Sequence, residues 1–573
     1  MKSRTFFSAI ALVAGLLLLV GIAGFWGLTA QNPRGLMARG GQEIPTAAQF
    51  VPRQAPLMVS LLARPDRVWR LRQVLTPSGK RSEARQEWQS LKTTLTDAVG
   101  WDYDTDVLPW LDQEVTIAVT TTDLDHDSGN GQQAGYLAVL SCQDGQQARE
   151  AVHLLWQKRA ISGRSLFFET VSGIPLIYDQ KPDPPVFGSI NVFDQAAIKL
   201  ESLASVVIGD RYVLLANHPQ VLRQAIATFQ APDVSLAKES TYRASIKALP
   251  SNRIGWLYAN APALLTWLGL EDPELTSSLA ESGRRAHHFF MSFRAIPTGL
   301  LGDTTVAAAP GTAFKASQAI HQPSKILNIL PAETLFAASG INLPEFLPET
   351  AENIGGYRIV QRSLKAFLAS LSLPSDITPS QLWDTMQGEY ALGLIAGRTP
   401  TWILASQSNP EVPFSALDDL AQQQGLNVSH VRLGDKDITA WTQLSLILTA
   451  PDSPASLNTQ VIGVHTQISD YEVFSTSLAG LQQVLKAENE SSLPEQPGFA
   501  KLLNNLDEPY GNLAYIDWPH LAPLLFNRFP WLRVIEQAGQ PLTAHLGPIF
   551  MGGYGSNSSL QEGMVAIKLL ENP

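Results

Sequence analysis

The chain has 573 residues, enough for several domains of ordinary size. Its 41 basic and 52 acidic side chains leave a net charge of −11, which argues against a phosphate-backbone binder, because that role needs clustered Lys and Arg. Apolar residues make up 45% and charged residues only 16%, a globular composition, and the single cysteine, Cys142, excludes both a disulfide framework and a CxxC zinc or redox pair.

The amino terminus reads as a membrane anchor over residues 1–30. Lys2 and Arg4 precede an uncharged stretch whose apolar heart, Phe6 to Leu28, is long enough to cross a bilayer of about 30 Å as a helix. A cleavable leader would be shorter and would end on small residues, a pattern that Leu28 fits poorly. Phe25 and Trp26 suit the far interface, and the short basic leader keeps the terminus in the cytoplasm and exports the bulk. Residues 31–50 carry Gly, Pro and Gln without apolar periodicity and read as a linker.

A first α+β unit is expected over 51–310. It opens with the strand LMVSLL and a helix over 83–98 with Trp88, Leu91 and Leu95 at helical spacing. The loop WDYDTDVLPW leads into strands EVTIAV and GYLAVL. Asp144 caps the next helix, with Gln147 three residues on and an apolar stripe of Ala148, Ala151, Val152, Leu155 and Trp156. Strands SLFFETV and IPLIYD follow, then a hairpin of SVVIG and YVLLA turned at Asp210-Arg211, then a helix from 219 to 229 with Asn217 near its start. Residues 311–326 link this unit to a second one over 327–573, in which Asn409 caps the helix bearing Phe414, Leu417, Leu420 and Ala421.

The second unit repeats the first. PRQAPLMVSLLARPDRV from Pro52 aligns without a gap on PAETLFAASGINLPEFL from Pro331, an offset of 279 that also pairs Ser60 with Ser339 and Pro65 with Pro344. YVLLANHPQVLRQAI at Tyr212 matches YEVFSTSLAGLQQVL at Tyr471, and YANAPALL at Tyr258 matches YIDWPHLA at Tyr515, offsets of 259 and 257. Glu114 follows Trp110 as Glu389 follows Trp383. The expected architecture is therefore two homologous halves, each a mainly antiparallel sheet with helices packed on one face, behind an N-terminal transmembrane helix.

Chemistry leaves few handles. There is no GxSxG, HExxH, Walker or GxGxxG motif. DYDTD (Asp102, Asp104, Asp106) fails the EF-hand pattern, with Val107 where Gly belongs and Gln113 where Glu belongs, and reads as a solvated acidic turn. Asp123, Asp125 and Asp127 suit a polar hairpin loop better than a cation site, and Cys142 in YLAVLSC suits a buried inert thiol. His287 and His288 are neighbours on a strand and should point to opposite faces, one inward and hydrogen-bonded, the other solvated. Glu114 and Glu389 occupy equivalent places in two cores, which does not make a catalytic pair. Both halves carry a proline-rich loop, KPDPPVFG and APDSP. No catalytic residue, cofactor or metal is expected. The stretch LAPLLFNRFPWLRVI is dense for a surface helix, and Phe526, Phe529, Trp531 and Leu532 are the candidate partner-binding residues.

The whole chain resembles a cyanobacterial domain-of-unknown-function family of membrane-anchored, internally duplicated proteins. The resemblance rests on the anchor, PRQAPLMVSLL, WDYDTDVLPWLDQEVTIAV, GYLAVLSCQDGQQARE and YANAPALL with its echo YIDWPHLA. It implies a cyanobacterial host, with the exported body in the periplasm or thylakoid lumen. The expected function is a membrane-tethered extracytoplasmic binding or assembly factor, with a membrane protein as partner. The competing expectations are an envelope hydrolase with its site between the halves and a carrier of lipid or another apolar ligand.

Overall fold

The computed structural model describes residues 39–570 apart from 68–98, 126–132, 181–201, 268–285, 297–298, 310, 316, 319–324, 345–386, 398–399, 410–414, 435, 448–455, 488–490, 504–511 and 529–545. The anchor expected over 1–30, the helix expected over 83–98 and both proline-rich loops lie outside the described residues. Among the described residues no helix is long and apolar enough to cross a membrane.

Up to residue 308 the strands are β1 (Leu57–Leu61), β2 (Leu111–Thr121), β3 (Gly135–Cys142), β4 (Ser165–Val171), β5 (Ile174–Gln180), β6 (Ala204–Ile208), β7 (Tyr212–Ala216), β8 (Gly255–Asn260), β9 (Ala286–Ile296) and β10 (Gly299–Ala308). The helices among them are α1 (Gly145–Ile161), α2 (Pro219–Gln230), α3 (Ser240–Ala248) and α4 (Ala261–Trp267). After β11 (Ser317–Gln318) come β12 (Thr334–Ile341), β13 (Glu389–Ile395), β14 (Thr401–Gln407), β15 (Asn427–Leu433), β16 (Lys436–Ile447), β17 (Ser456–Ile468), β18 (Tyr471–Ser475), β19 (Leu513–Ile516), β20 (Leu546–Ser556) and β21 (Leu560–Leu569). The later helices are α5 (Ser415–Gln423), α6 (Leu478–Ala487), α7 (Pro497–Leu503) and α8 (Trp518–Arg528).

Among the described residues every ladder is antiparallel, so the chain is an α+β protein with a mainly antiparallel sheet. The ladders run β4–β5–β6–β7–β3–β2–β1–β8–β9–β10 through the earlier strands. From β21 they run β20–β19–β12–β13–β14–β18–β17–β16–β15, the same order of neighbours. The β10–β21 ladder joins the two series edge to edge. Register follows the same arithmetic. Tyr258 lies opposite Met58 and Phe290, and Tyr515 lies opposite Ala337 and Phe550. Met58 to Ala337 is the offset of Pro52 to Pro331. The isolated bridges Pro52–Ser235 and Pro331–Ser492 keep both offsets, 279 and 257.

The helices cover both faces of the sheet, which corrects the expectation of one covered face. Successive strand residues point to opposite sides. Val213 and Leu215 of β7 pack with Leu155 and Trp156 of α1, whereas Leu214 and Ala216 pack with Val221, Leu222 and Ile226 of α2. In the later strands Leu404 packs with Leu417 of α5, and Ile403 and Ala405 pack with Leu481 and Val484 of α6. α1 starts where expected, because Asp144 Oδ1 accepts the amides of Gln146 and Gln147, both at 3.0 Å. α2 is capped by His218, whose Nδ1 accepts from Gln220 N, while Asn217 bridges Tyr136 N and Ala134 O.

Two expected linkers contribute to the body. Thr46–Phe50 is a 3-10 turn with Ala47, Ala48 and Phe50 fully buried, so the linker expected over 31–50 does not reach residue 50. Within 311–326, β11 pairs with β20, and a 3-10 turn that begins there, Lys325–Ile329, has Ile326, Leu327 and Ile329 buried.

Candidate functional site

One row of directly opposed residues crosses ten strands. It runs Thr116–Ser60–Trp256–Ser292–Asp303 on β2, β1, β8, β9 and β10. It continues through Met564–Gly552–Leu513–Ser339–Ala391 on β21, β20, β19, β12 and β13. Opposed residues share a face, so these side chains form one band. Four of the first five are small polar or charged groups and all five are buried, whereas the second five are apolar except Ser339. Burying polar groups is favourable only where they are hydrogen-bonded. The first half of the band and the groups above it are thus the most chemically loaded region of the described core.

α3 roofs this region. Glu239 starts it by accepting Tyr242 N at 2.5 Å. Tyr242 then packs on Trp256, Tyr258 and Phe290 with ring centroids 5.9, 6.1 and 6.2 Å away. Pro250 follows the helix end, and Arg253 folds back to donate to the carbonyls of Ile246, Leu249 and Pro250 at 3.0, 2.8 and 2.9 Å. A cation on the last carbonyls complements the helix dipole. The Arg253 guanidinium also lies over the Trp256 ring, 4.9 Å from its centroid, and is 1% exposed. Burial drives the Tyr242 phenol well above its ordinary range and lowers Arg253. Five buried polar atoms here have no partner: Tyr242 Oη, Ser245 Oγ, Arg253 Nη1, Trp256 Nε1 and Thr305 Oγ1.

At the β2 end stands Glu114, also fully buried. It accepts from Thr46 N (2.8 Å), Thr46 Oγ1 (2.5 Å), Ala47 N (3.0 Å) and Gln42 Nε2 (3.0 Å), and Thr116 Oγ1 lies 2.9 Å away. Burial raises its carboxyl while the bonds from Thr46, Ala47 and Thr116 pull it back. Glu114 thereby anchors the turn that follows residues 39–45. That approach is tight: Gly40 has φ +69°, Gly41 N donates to Arg253 O at 2.7 Å, and a Cβ on Gly41 would sit 1.9 Å from Leu62 O. Glu389, the matching glutamate, is half-exposed and accepts from Tyr471 Oη at 2.8 Å. Glu114 and Glu389 are not brought together as a two-carboxylate site.

The other candidates fall elsewhere. Phe526 is buried on α8 against Trp518, and Leu524 on the same helix is 38% exposed. Phe529, Trp531 and Leu532 lie outside the described residues. Asp102 caps a single π-turn at Tyr103–Val107, and Asp106 pairs with Lys158 of α1 at 3.0 Å. Asp123 and Asp125 close their loop onto Gln133; Asp127 lies outside the described residues. Cys142 is half-buried, and burial pushes its thiol up to about 12. His287 and His288 do not split into an inward and a solvated ring. A register shift opposite Ala307 and Ala308 brings the two rings edge-on at 4.6 Å, and both are half-buried. No group of three or more His, Cys, Asp or Glu side chains suited to a metal occurs among the described residues.

Arg253, Tyr242 and the Asp418–His465 contact of 2.9 Å, which Trp441 Nε1 shares at 2.6 Å, are not foreshadowed by the motifs of the sequence. The signal for Asp418 was a charge on the inner stripe of a helix. Arg253 carried no periodic signal.

Fold and site together define an α+β protein with an extended antiparallel sheet and a polar inner band. A family of proteins of unknown function, DUF3352, matches residues 10–569, and the chain belongs to it. No curated protein and no solved structure matches the chain.

Proposed function

We propose that this protein is a membrane-tethered extracytoplasmic binding or assembly factor without catalytic activity, serving envelope or thylakoid-membrane proteins of a cyanobacterial cell. In this reading residues 1–30 are the tether. Units 51–310 and 327–573 are homologous copies, a view supported by their shared strand order and by registers that obey the sequence offsets. Glu114 then ties the segment next to the tether into the first copy.

The observation that carries the proposal is the edge strand β4. Among the described residues it pairs only with β5. Phe167 and Phe168 point to opposite faces of it, 42% and 73% exposed, and Phe167 stacks on Tyr178 at 5.3 Å. Ile161, at the corner where α1 turns into β4, is 88% exposed. An open edge with apolar side chains on both faces suits an extended segment of another protein, added as one more strand.

The test is photo-crosslinking from position 168 of the full chain in native membranes, followed by identification of the adduct. A discrete membrane-protein adduct that is lost when Phe167 and Ile161 are both changed to Ser is expected. Recovery of the uncleaved chain in the soluble fraction, or turnover of a generic ester or peptide by the purified protein, would overturn the proposal.

A further inference from the structure

We propose that the polar end of the inner band is a binding site for a small monovalent anion such as chloride, held by Arg253, Trp256 and Tyr242. The inference is independent of the β4 reading. Arg253 Nη1 and Trp256 Nε1 are obligate donors, both fully buried and both without an acceptor. The hydroxyls of Tyr242, Ser245 and Thr305 are buried and unpartnered beside them. The groups converge: Arg253 lies over Trp256, the Tyr242 ring touches Trp256 and Phe290, and Thr305 stands opposite Phe290. Five groups able to donate, around one aromatic cluster, call for an acceptor.

Charge makes that acceptor an anion. A buried guanidinium needs a counter-charge. Arg253 has only neutral carbonyl partners, and the surrounding carboxylates are committed elsewhere. Asp303 is gripped by Arg294 through two bonds of 2.7 and 2.8 Å. Glu114 is held by the 42–47 segment and Thr116. Glu43 and Asp303 act on Arg253 through charge alone, whereas its described hydrogen bonds all go to carbonyls.

The fold does not require this polarity. By the 257 offset Tyr242 corresponds to Phe499 and Trp256 to Leu513, by ladder register Ser292 corresponds to Gly552 and Thr305 to Ala566, and Phe499, Leu513 and Ala566 are buried in an apolar core. The same framework therefore closes without polar groups, and their presence on one side alone marks a site.

The experiment uses the full chain in mild detergent at constant ionic strength, with chloride replacing gluconate. The melting temperature is expected to climb with the logarithm of chloride concentration. The climb should disappear in Trp256→Phe and Tyr242→Phe, and persist in Trp441→Phe, whose indole is already bonded to Asp418. Crystals grown in bromide should show an anomalous peak between Arg253 Nη1 and Trp256 Nε1. An equal chloride response in wild type and Trp256→Phe, or no response at all, overturns the proposal. So does a water in place of the bromide peak.

Discussion

Asp303 and Met564 face each other across the β10–β21 ladder, and each occupies the other's place in the sheet. Phe290 corresponds to Phe550 at an offset of 260. A bulge within β20, between Gly553 and Gly555, supplies the extra residue that carries Asp303 onto Met564. A pairing of equivalent positions is what lies at the centre of a two-fold interface. The joint thus pairs two strands that hold the same place in their series of neighbours, with Asp303 against Met564.

That asymmetry sets the first prediction. Asp303 is neutralised by Arg294, but the residue matching Arg294 is Tyr554, so an acid at 564 would have no such cation and would face Asp303. Met564→Asp should destabilise the protein by about 3 kcal/mol or more, as an unpaired buried charge does. Met564→Leu should cost less than about 1.5 kcal/mol. Adding Tyr554→Arg to Met564→Asp should recover part of the loss. Denaturant midpoints of the three variants check this; full additivity of the double variant would mean that the two positions do not couple.

The two matching glutamates should differ sharply. Glu114→Gln substitutes an amide donor among five donors and leaves at least one of them unpaired. A loss of about 2–4 kcal/mol is expected. Glu389→Gln keeps an acceptor for Tyr471 and should change stability by about 1 kcal/mol or less. Protease sensitivity around residues 39–50 should rise only in the Glu114 variant. Equal effects from the two substitutions would show that the docked segment adds nothing.

Local chemistry made much of this legible in advance. The cap and stripe of α1 are a short-range pattern, and Asp144, Leu155 and Trp156 stand where their spacing put them. The matching offsets were readable because the chain itself carries them. What was hidden is non-local. The inner band joins positions from 60 to 564 through register alone, and no window of sequence contains it. The docking of 41–50 was invisible for the same reason: its bonds go to Arg253 O, Leu62 O and Glu114, which leaves no periodicity of its own. Helices fell on both faces because alternate residues of a fully apolar strand such as YVLLA are equally fit to be covered from either side.

Ser60 and Ser339 give a third contrast. Ser60 Oγ lies 2.7 Å from Thr116 Oγ1, so a run of hydroxyls ends on Glu114. At the matching place Ala391 replaces Thr116, and Ser339 Oγ is buried without a partner. Ser60→Ala should cost about 1 kcal/mol. Ser339→Ala should be neutral or stabilising, since it removes an unmet desolvation penalty. Melting temperatures that fall equally in both variants would contradict this account.

The fourth prediction concerns acid. Burial, aided by the neighbouring charge of His287, depresses His288 from 6.5 to about 4, while Glu239 opposes the shift. Its ring lies against Tyr258 and Phe290, 5.7 and 6.2 Å between centroids. The folded ring is therefore neutral where the unfolded one takes a proton. For such a group the stabilising contribution is complete above pH 6.5 and is lost as pH falls through 6.5 towards 4, because the unfolded chain binds the extra proton. A shift of that size corresponds to about 3 kcal/mol across the window. His288→Phe should keep the aromatic contacts and remove this part of the acid sensitivity. Denaturant melts of both proteins, similar at pH 7.5, are expected to diverge towards pH 4 as the wild type loses stability faster. Parallel curves over the whole range would show that His288 does not titrate with folding.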